Sequence, residues 1–178
     1  EIIERFARYS SVPVINALTN DYHPCQLLAD VQTYVENRGS IQGKTVTWIG
    51  DGNNMCQSYI NAAKQFDFEL RIACPKGFEP SAELLTANKN RVSLVQNPQE
   101  AAKNSDLLVT DVWASMGQKE EIDERVKIFS PFQVNDALIA NAKDNYLFMH
   151  CLPAERGREV TDSVIDSENS VVFEQAEN

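Results

Sequence analysis

The sequence predicts an α/β protein, a doubly wound, Rossmann-like parallel sheet with helices on both faces. Two observations carry this. From Gly43 onward strand-like and helix-like segments alternate, and the strand-like segments are apolar at nearly every position. Strands covered on both faces have that composition, and the helices between them are the crossovers that parallel pairing needs. In order, KTVTWIG reads as a strand, Asn54 to Phe66 as a helix, LRIAC as a strand and Ser81 to Ala87 as a helix. VSLV is then a strand, Pro98 to Asn104 a short helix, and DLLVTD, YLFMHC and SVVF are three further strands.

Upstream, Ile2, Ile3, Phe6 and Tyr9 have helical spacing, and Val12-Pro13-Val14-Ile15 reads as a short strand with an edge-type proline. No earlier strand exists for it to pair with, which implies that the chain begins inside a domain. His23-Pro24 opens another helix with proline at its first position. Its apolar stripe is Leu27, Leu28, Val31, Tyr34 and Val35, and Gly39 ends it. The expected organisation is a remnant of one domain with a connector helix over residues 1–38, and one complete domain over residues 39–178.

The chain has 178 residues, a length that suits one domain of about 150 residues with an appendage. Its 43% hydrophobic and 24% charged residues are ordinary for a globular protein. A net charge of −10 argues against nucleic acid or an anionic membrane as partner, because both demand an excess of Lys and Arg. An anionic small molecule needs only a local pocket of N–H groups and stays open. Four cysteines without a C-x-x-C pair and two histidines make neither a zinc site nor a disulfide framework, so no metal is expected and reduced thiols are. No apolar run reaches the roughly 18 residues of a membrane span, and the acidic start is unlike a signal peptide. A cytoplasmic location is the resulting expectation.

In doubly wound sheets ligands bind beyond the carboxyl ends of the strands, where strand order reverses. The first strand runs into Gly50-Asp51-Gly52-Asn53-Asn54-Met55, which lacks the third glycine of a dinucleotide fingerprint. Cys74-Pro75 stands where a ribose-binding acid would be, so NAD is not expected as a cofactor. One of the paired asparagines either caps the helix or binds a carboxylate or amide in the crevice. Asp111 ends the fourth strand, where it can pair with a substrate ammonium or cap the next helix. Ser115-Met116-Gly117 and the charged run QKEEIDER read as a solvated, mobile loop or lid. Cys151 ends the fifth strand beside Asn54 and Asp111, whereas His150 faces the other way and reads as a structural histidine. His23 and Gln26, at i and i+3 in the first turn of their helix, flank exposed backbone N–H groups; they suit a phosphate or a polarised carbonyl, or merely cap a domain junction.

Together these segments resemble the ornithine carbamoyltransferases. The residues are His23-Pro24-Cys25-Gln26, the turn WIGDGNNM, Asp111 with Ser115-Met116-Gly117, His150-Cys151-Leu152-Pro153, and the closing Val172 to Asn178, in order and at family spacing. H-P-x-Q is shared by transcarbamylases generally; the S-M-G loop with H-C-L-P is more specific to the ornithine enzyme. The resemblance implies transfer of a carbamoyl group from carbamoyl phosphate to the δ-amine of L-ornithine, giving L-citrulline and phosphate, without a cofactor or metal.

The resemblance further implies that His23 and Gln26 hold carbamoyl phosphate at its carbamoyl end. Asn54, Asp111, Ser115 and Met116 would bind the α-amino and α-carboxylate groups of ornithine. Cys151, with the Leu152 backbone, would contact the carbamoyl group and orient the attacking amine, making Cys151 and His23 the catalytic candidates. The family's S-x-R-T phosphate loop does not occur in these residues, so the stretch is expected to be the ornithine-binding part and not to turn over substrate by itself. Family enzymes are homotrimers. The competing readings are a sister transcarbamylase for acetylornithine, putrescine or aspartate, and a non-catalytic amino-acid-binding module.

Overall fold

The computed structural model describes residues 2–113 and 122–178. Its strands are β1 (Thr45–Ile49), β2 (Glu69–Ala73), β3 (Val92–Leu94), β4 (Leu107–Thr110) and β5 (Leu147–His150). All pair in parallel in one sheet of order β3-β2-β1-β4-β5. The chain winds outward through β2 and β3, then crosses back to β4, so the connections leaving the carboxyl ends of β1 and β4 diverge. That gap is the topological switch point at which such sheets bind ligands.

Alternation along each strand divides the core in two. Val46 and Trp48 of β1, Leu107 and Val109 of β4, and Leu147 and Met149 of β5 face one side. There they meet α2 (Pro24–Arg38) and α3 (Asn54–Gln65), through Leu27, Val31, Tyr34, Tyr59 and Ile60. Ile49, Leu108 and Phe148 face the other side, against α5 (Pro98–Ala102), α7 (Asp136–Ile139) and α8 (Asp162–Ile165). The remaining helices are α1 (Ile2–Tyr9), α4 (Ala82–Ala87), α6 (Ile122–Phe129) and α9 (Val172–Glu177), with a 3-10 turn at Ser130–Phe132.

The capping chemistry is legible residue by residue. Asn53, Ser81, Asn97 and Asn135 each stand just before a helix and accept from its first free N–H groups. Gly39 ends α2 at φ +74°, a left-handed conformation that costs glycine little.

The structure corrects four expectations. Val12–Ile15 forms no strand, because no neighbouring strand among the described residues offers it hydrogen bonds, and Val12 and Ile15 lie exposed. Ser170–Phe173 is not a strand either: Ser170 makes one isolated bridge to Phe148, and Val172 starts α9. A short apolar run fits a buried helix turn as well as a strand. Of the charged run after Gly117, residues 122–125 belong to α6 and Arg125 is buried rather than solvated, while residues 114–121, which carry the rest of the expected loop, lie outside the described residues. In α2 the stripe is also narrower than its sequence spacing implies, with Leu28 and Val35 largely exposed.

Candidate active site

Three chain segments meet at the switch point. After β1 come Gly50-Asp51-Gly52-Asn53, after β4 Asp111-Val112-Trp113, and after β5 Cys151-Leu152-Pro153. Gly52 is packing-driven: a Cβ there would stand 2.3 Å from the Pro80 nitrogen and 2.5 Å from the Phe78 carbonyl oxygen. Its N–H donates to that same Phe78 oxygen at 2.9 Å. The glycine therefore lets the 78–80 backbone close over the turn rather than admitting a pyrophosphate.

Asp111 is the centre of the site. Asn53 Nδ2 donates to Asp111 Oδ2 at 2.7 Å, and Cys151 Sγ donates to Asp111 Oδ1 at 3.2 Å. The Val112 N–H also reaches Oδ1, at 2.8 Å. Asn53 can do this because it is the N-cap of α3, with its own Oδ1 accepting from the Cys56 N–H at 3.1 Å. The carboxylate is thus oriented from two sides while remaining half-buried at the edge of the crevice. Burial and the Asp111 charge push the Cys151 thiol far above its ordinary range, so it is a neutral donor at physiological pH.

The His150 ring turns toward Glu159, yet one of its nitrogens stays within 4.8 Å of the Cys151 sulfur. Its Nε2 meets Glu159 Oε1 at 3.1 Å, and its Nδ1 accepts the Leu152 N–H at 2.9 Å. These partners place the ring proton on Nε2. Ligand atoms of Asp111, His150 and Cys151 lie within 4.8 Å of one another. A cation there would have to take His150 from one of these two partners, so the cluster is better satisfied as a hydrogen-bonded turn. Leu152 sits at φ +54°, in the left-handed region, and its bond to Pro153 is cis.

The second half of the site is the start of α2. The N-cap residue His23 makes no side-chain capping bond among the described residues, and Pro24 occupies the first turn. The His23 N–H donates to Ser58 Oγ on α3 at 2.8 Å, while His23 Nδ1 is enclosed without a hydrogen-bond partner among the described residues. Gln26 Nε2 donates to Asp30 Oδ1 at 3.0 Å. Asp30 in turn takes the Tyr59 hydroxyl at 2.7 Å and Gln175 Nε2 at 2.6 Å. Gln175 Oε1 closes the circuit by accepting the His150 N–H at 3.0 Å.

The structure therefore brings Asp111 and Cys151 into contact, and links Gln26 to the β5 end through Asp30 and Gln175. His23 is held at the helix start by its backbone. Asn54 is turned elsewhere, its Nδ2 on the Thr19 carbonyl at 3.0 Å and its Oδ1 on the Met55 N–H at 2.9 Å. Ser115 and Met116 lie outside the described residues. The sequence left open which of the paired asparagines caps or binds; Asn53 does both, capping α3 and donating to Asp111, whereas the resemblance points to Asn54. Sequence reasoning missed Asp30 and Gln175, which carry no local signal.

Arg125 was missed as well. It pairs with Asp51, donates to the Trp113 carbonyl, and lies 4.8 Å and 5.1 Å from the Phe78 and Phe129 ring centroids. It ties α6 to the turn after β1. Desolvation still raises Asp51 above its ordinary value, against the pull of Arg125.

Among the described residues no helix is long and apolar enough to cross a membrane. Residues 42–178 match the family model described as aspartate/ornithine carbamoyltransferase, Asp/Orn binding domain, and residues 1–36 match that of the carbamoyl-P binding domain. An ornithine carbamoyltransferase of Hydrogenovibrio crunogenus is 60% identical over 178 residues, which is 100% of this chain and 59% of that protein. The anabolic ornithine carbamoyltransferase of Pseudomonas aeruginosa is 57% identical over 99% of this chain and 58% of its own. The solved ornithine carbamoyltransferase of Pyrococcus furiosus superposes with a TM-score of 0.92 at 48% identity, over 98% of this chain and 58% of that one. The chain thus spans 59% of the length of the first of these relatives.

Proposed function

Because this chain belongs to the aspartate/ornithine carbamoyltransferase family, we propose that it serves carbamoyl transfer from carbamoyl phosphate to the δ-amine of L-ornithine, giving L-citrulline and phosphate. The observation that carries this reading is the Asp111 carboxylate at the switch point, oriented by Asn53 and Cys151. A half-buried carboxylate there pairs with the α-ammonium of an amino acid, and an ammonium in so dry a setting prefers a charged partner. Residues 39–178 would form the ornithine-binding domain, with residues 1–38 belonging to a carbamoyl phosphate domain and its connector.

On this reading Asn54, Ser115 and Met116 complete the grip on the α-amino and α-carboxylate groups, Asn54 after leaving the Thr19 carbonyl. His23 and Gln26 hold the carbamoyl end of carbamoyl phosphate at the start of α2. Cys151 and the Leu152 backbone contact the carbamoyl group and aim the amine. Attack on a carbonyl carbon needs a neutral amine, alignment of the two substrates, and donors at the oxygen where charge develops; no covalent intermediate is required. The neutral state of Cys151 makes it a donor and spacer rather than a thiolate base. The working protein would be a cytoplasmic homotrimer taking two small-molecule substrates and neither nucleic acid nor membrane.

The test is an amine-acceptor comparison on the protein in its full natural length. With carbamoyl phosphate supplied, ornithine is expected to give citrulline, while acetylornithine, putrescine and aspartate give little carbamoylated product. Preference for any of those three would sink the ornithine assignment. The 178-residue chain alone is expected to bind ornithine by calorimetry without forming citrulline, because S-x-R-T is not among its residues. Citrulline at ordinary rates from this stretch would contradict that.

A further inference from the structure

We propose that Asp30 is a positioning residue for carbamoyl phosphate: it holds the Gln26 carboxamide with its NH2 turned inward, so that the carbonyl oxygen Oε1 is the atom offered to the ligand. The proposal rests on the reading of Gln26 as a carbamoyl phosphate ligand. It adds the residue that decides which face Gln26 presents, and the path by which that choice is tied to the strand end bearing Cys151.

Asp30 is fully buried in α2, and among the described residues no Lys or Arg bonds to it. Instead it receives three uncharged donors: Gln26 Nε2 and Gln175 Nε2 on Oδ1, and the Tyr59 hydroxyl on Oδ2. An ionised carboxylate only accepts, so each amide in contact with it must present nitrogen. An amide group in Asp30's place would hold Gln26 the same way only while its own NH2 had another acceptor, such as the Tyr59 hydroxyl oxygen. The carboxylate removes that condition, and Gln26 lies four residues earlier on the same helix face, where its side chain can reach. Oε1 then lies on the far side of the carboxamide from the Nε2 that meets Asp30. A carbamoyl group carries an NH2 that needs an acceptor, and that carbonyl oxygen supplies one.

Gln175 extends the control to the other half of the site. Its NH2 is fixed by Asp30, so its Oε1 must be the group that meets the His150 N–H, one residue before Cys151. The carboxylate thereby sets the distance between the start of α2 and the end of β5, the two elements between which the substrates would meet. Burial raises Asp30 to about 6, with the three hydrogen bonds opposing that rise and the charge of Asp111 at the end of β4 adding to it. The other titratable groups facing it are Tyr59 from α3 and Cys151 beyond β5, and both are pushed upward by its charge. A buried acid with no cation is costly, and an apolar side chain would pack in its place without that cost. The orientation of two glutamines is what the acid supplies and an apolar residue cannot.

The experiment is a double-mutant cycle in the protein at full natural length, reading KM for carbamoyl phosphate and kcat. Gln26→Ala and Asp30→Leu are each expected to raise that KM about three- to tenfold, the size of one neutral hydrogen bond. The double variant is expected to be no worse than Gln26→Ala, because Asp30 acts through Gln26. Asp30→Asn is expected to keep KM within about twofold: its carbonyl oxygen can accept from both glutamines while its NH2 donates to the Tyr59 hydroxyl oxygen. Combining Asp30→Asn with Tyr59→Phe removes that outlet, so the introduced NH2 can be satisfied only by turning Gln26 to present its oxygen, and should raise KM as Asp30→Leu does. This pair keeps side-chain volume and decides the matter if Asp30→Leu does not fold. Additive effects of Asp30→Leu and Gln26→Ala, or an unchanged KM in Asp30→Asn with Tyr59→Phe, overturn the role of Asp30 alone. An unchanged KM in Gln26→Ala overturns the reading of Gln26 on which the proposal stands.

Discussion

Two carboxylates in this molecule receive nearly the same hydrogen bonds and are placed for opposite tasks. Asp30 accepts from Gln26, Tyr59 and Gln175 in the closed interior between α2, α3 and α9. Asp111 accepts from Asn53, Cys151 and Val112 at the open end of the sheet. A carboxylate offers about four acceptor positions, so neither is saturated. What separates them is access: Asp30 has no exposed surface, and Asp111 is half-buried at the crevice. A sealed carboxylate can influence a ligand only through the groups it orients, whereas an open one can meet an ammonium directly. Donor count does not distinguish a structural acid from a binding one; the remaining path to solvent does.

The comparison breaks most visibly in stability. Asp30→Ala leaves the Tyr59 hydroxyl and the Gln175 amide as buried donors without acceptors, at about 1–3 kcal/mol each. We expect a loss of roughly 4 kcal/mol in urea unfolding. Asp111→Ala, whose partners can turn to water, should cost about 1 kcal/mol or less. Equal losses in the two variants would mean that the sealed and open sites are not distinct.

A pH series sharpens the same contrast. Asp30 titrates near 6 in the folded chain against an ordinary 3.8. A raised pKa means that the folded state holds the proton more tightly, so the contribution is fully present below about pH 4 and is lost as pH rises through 6. The difference corresponds to about 3 kcal/mol. Asp30→Asn should therefore match the parent near pH 4 and exceed its stability by up to about 3 kcal/mol at pH 7. A constant difference across this range would show that Asp30 does not change charge there.

At the open site the expected effect lies in binding. Asp111→Asn keeps the shape and removes the charge, and a charge-assisted hydrogen bond contributes about 1.5–3 kcal/mol. Ornithine affinity should fall about 10- to 100-fold by calorimetry, with little change in unfolding midpoint. Unchanged ornithine affinity would leave Asp111 as a cap of its own loop.

Much of this geometry was legible in the chain because it is local. The five strands follow from apolar runs, and alternation alone separated a structural His150 from Cys151. Turn position predicted that Asp111 and Cys151 would converge. The failures have non-local causes. Asp30 looks like an ordinary helix acid until α9 delivers Gln175 to it from the far end of the chain. Arg125 reads as part of a solvated run because its partners, Asp51 and Phe78, come from loops after β1 and β2. Val171 and Val172 satisfy a strand pattern and a buried helix turn equally, and only the edge of the sheet decides between them. Asn53 and Asn54 differ in the cap geometry of α3, which one residue of register reverses.

The smallest expected effect separates two chemistries for Cys151. As a thiolate base, its replacement by serine would cost on the order of 10²–10⁴ in kcat, because a serine hydroxyl does not ionise near neutral pH. As a neutral donor to Asp111 Oδ1, the serine hydroxyl repeats the same hydrogen bond, merely shorter. Burial and the neighbouring carboxylates Asp111 and Asp30 all hold the proton on sulfur, so the second account applies. Cys151→Ser should retain kcat within about tenfold and leave the pH profile unmoved. Cys151→Ala, which removes the donor, should lower ornithine affinity slightly more than Cys151→Ser does. The order Ser above Ala marks hydrogen bonding to Asp111; equal and large losses in both would mark ionised sulfur, and would require the crevice to stabilise a thiolate against two carboxylates.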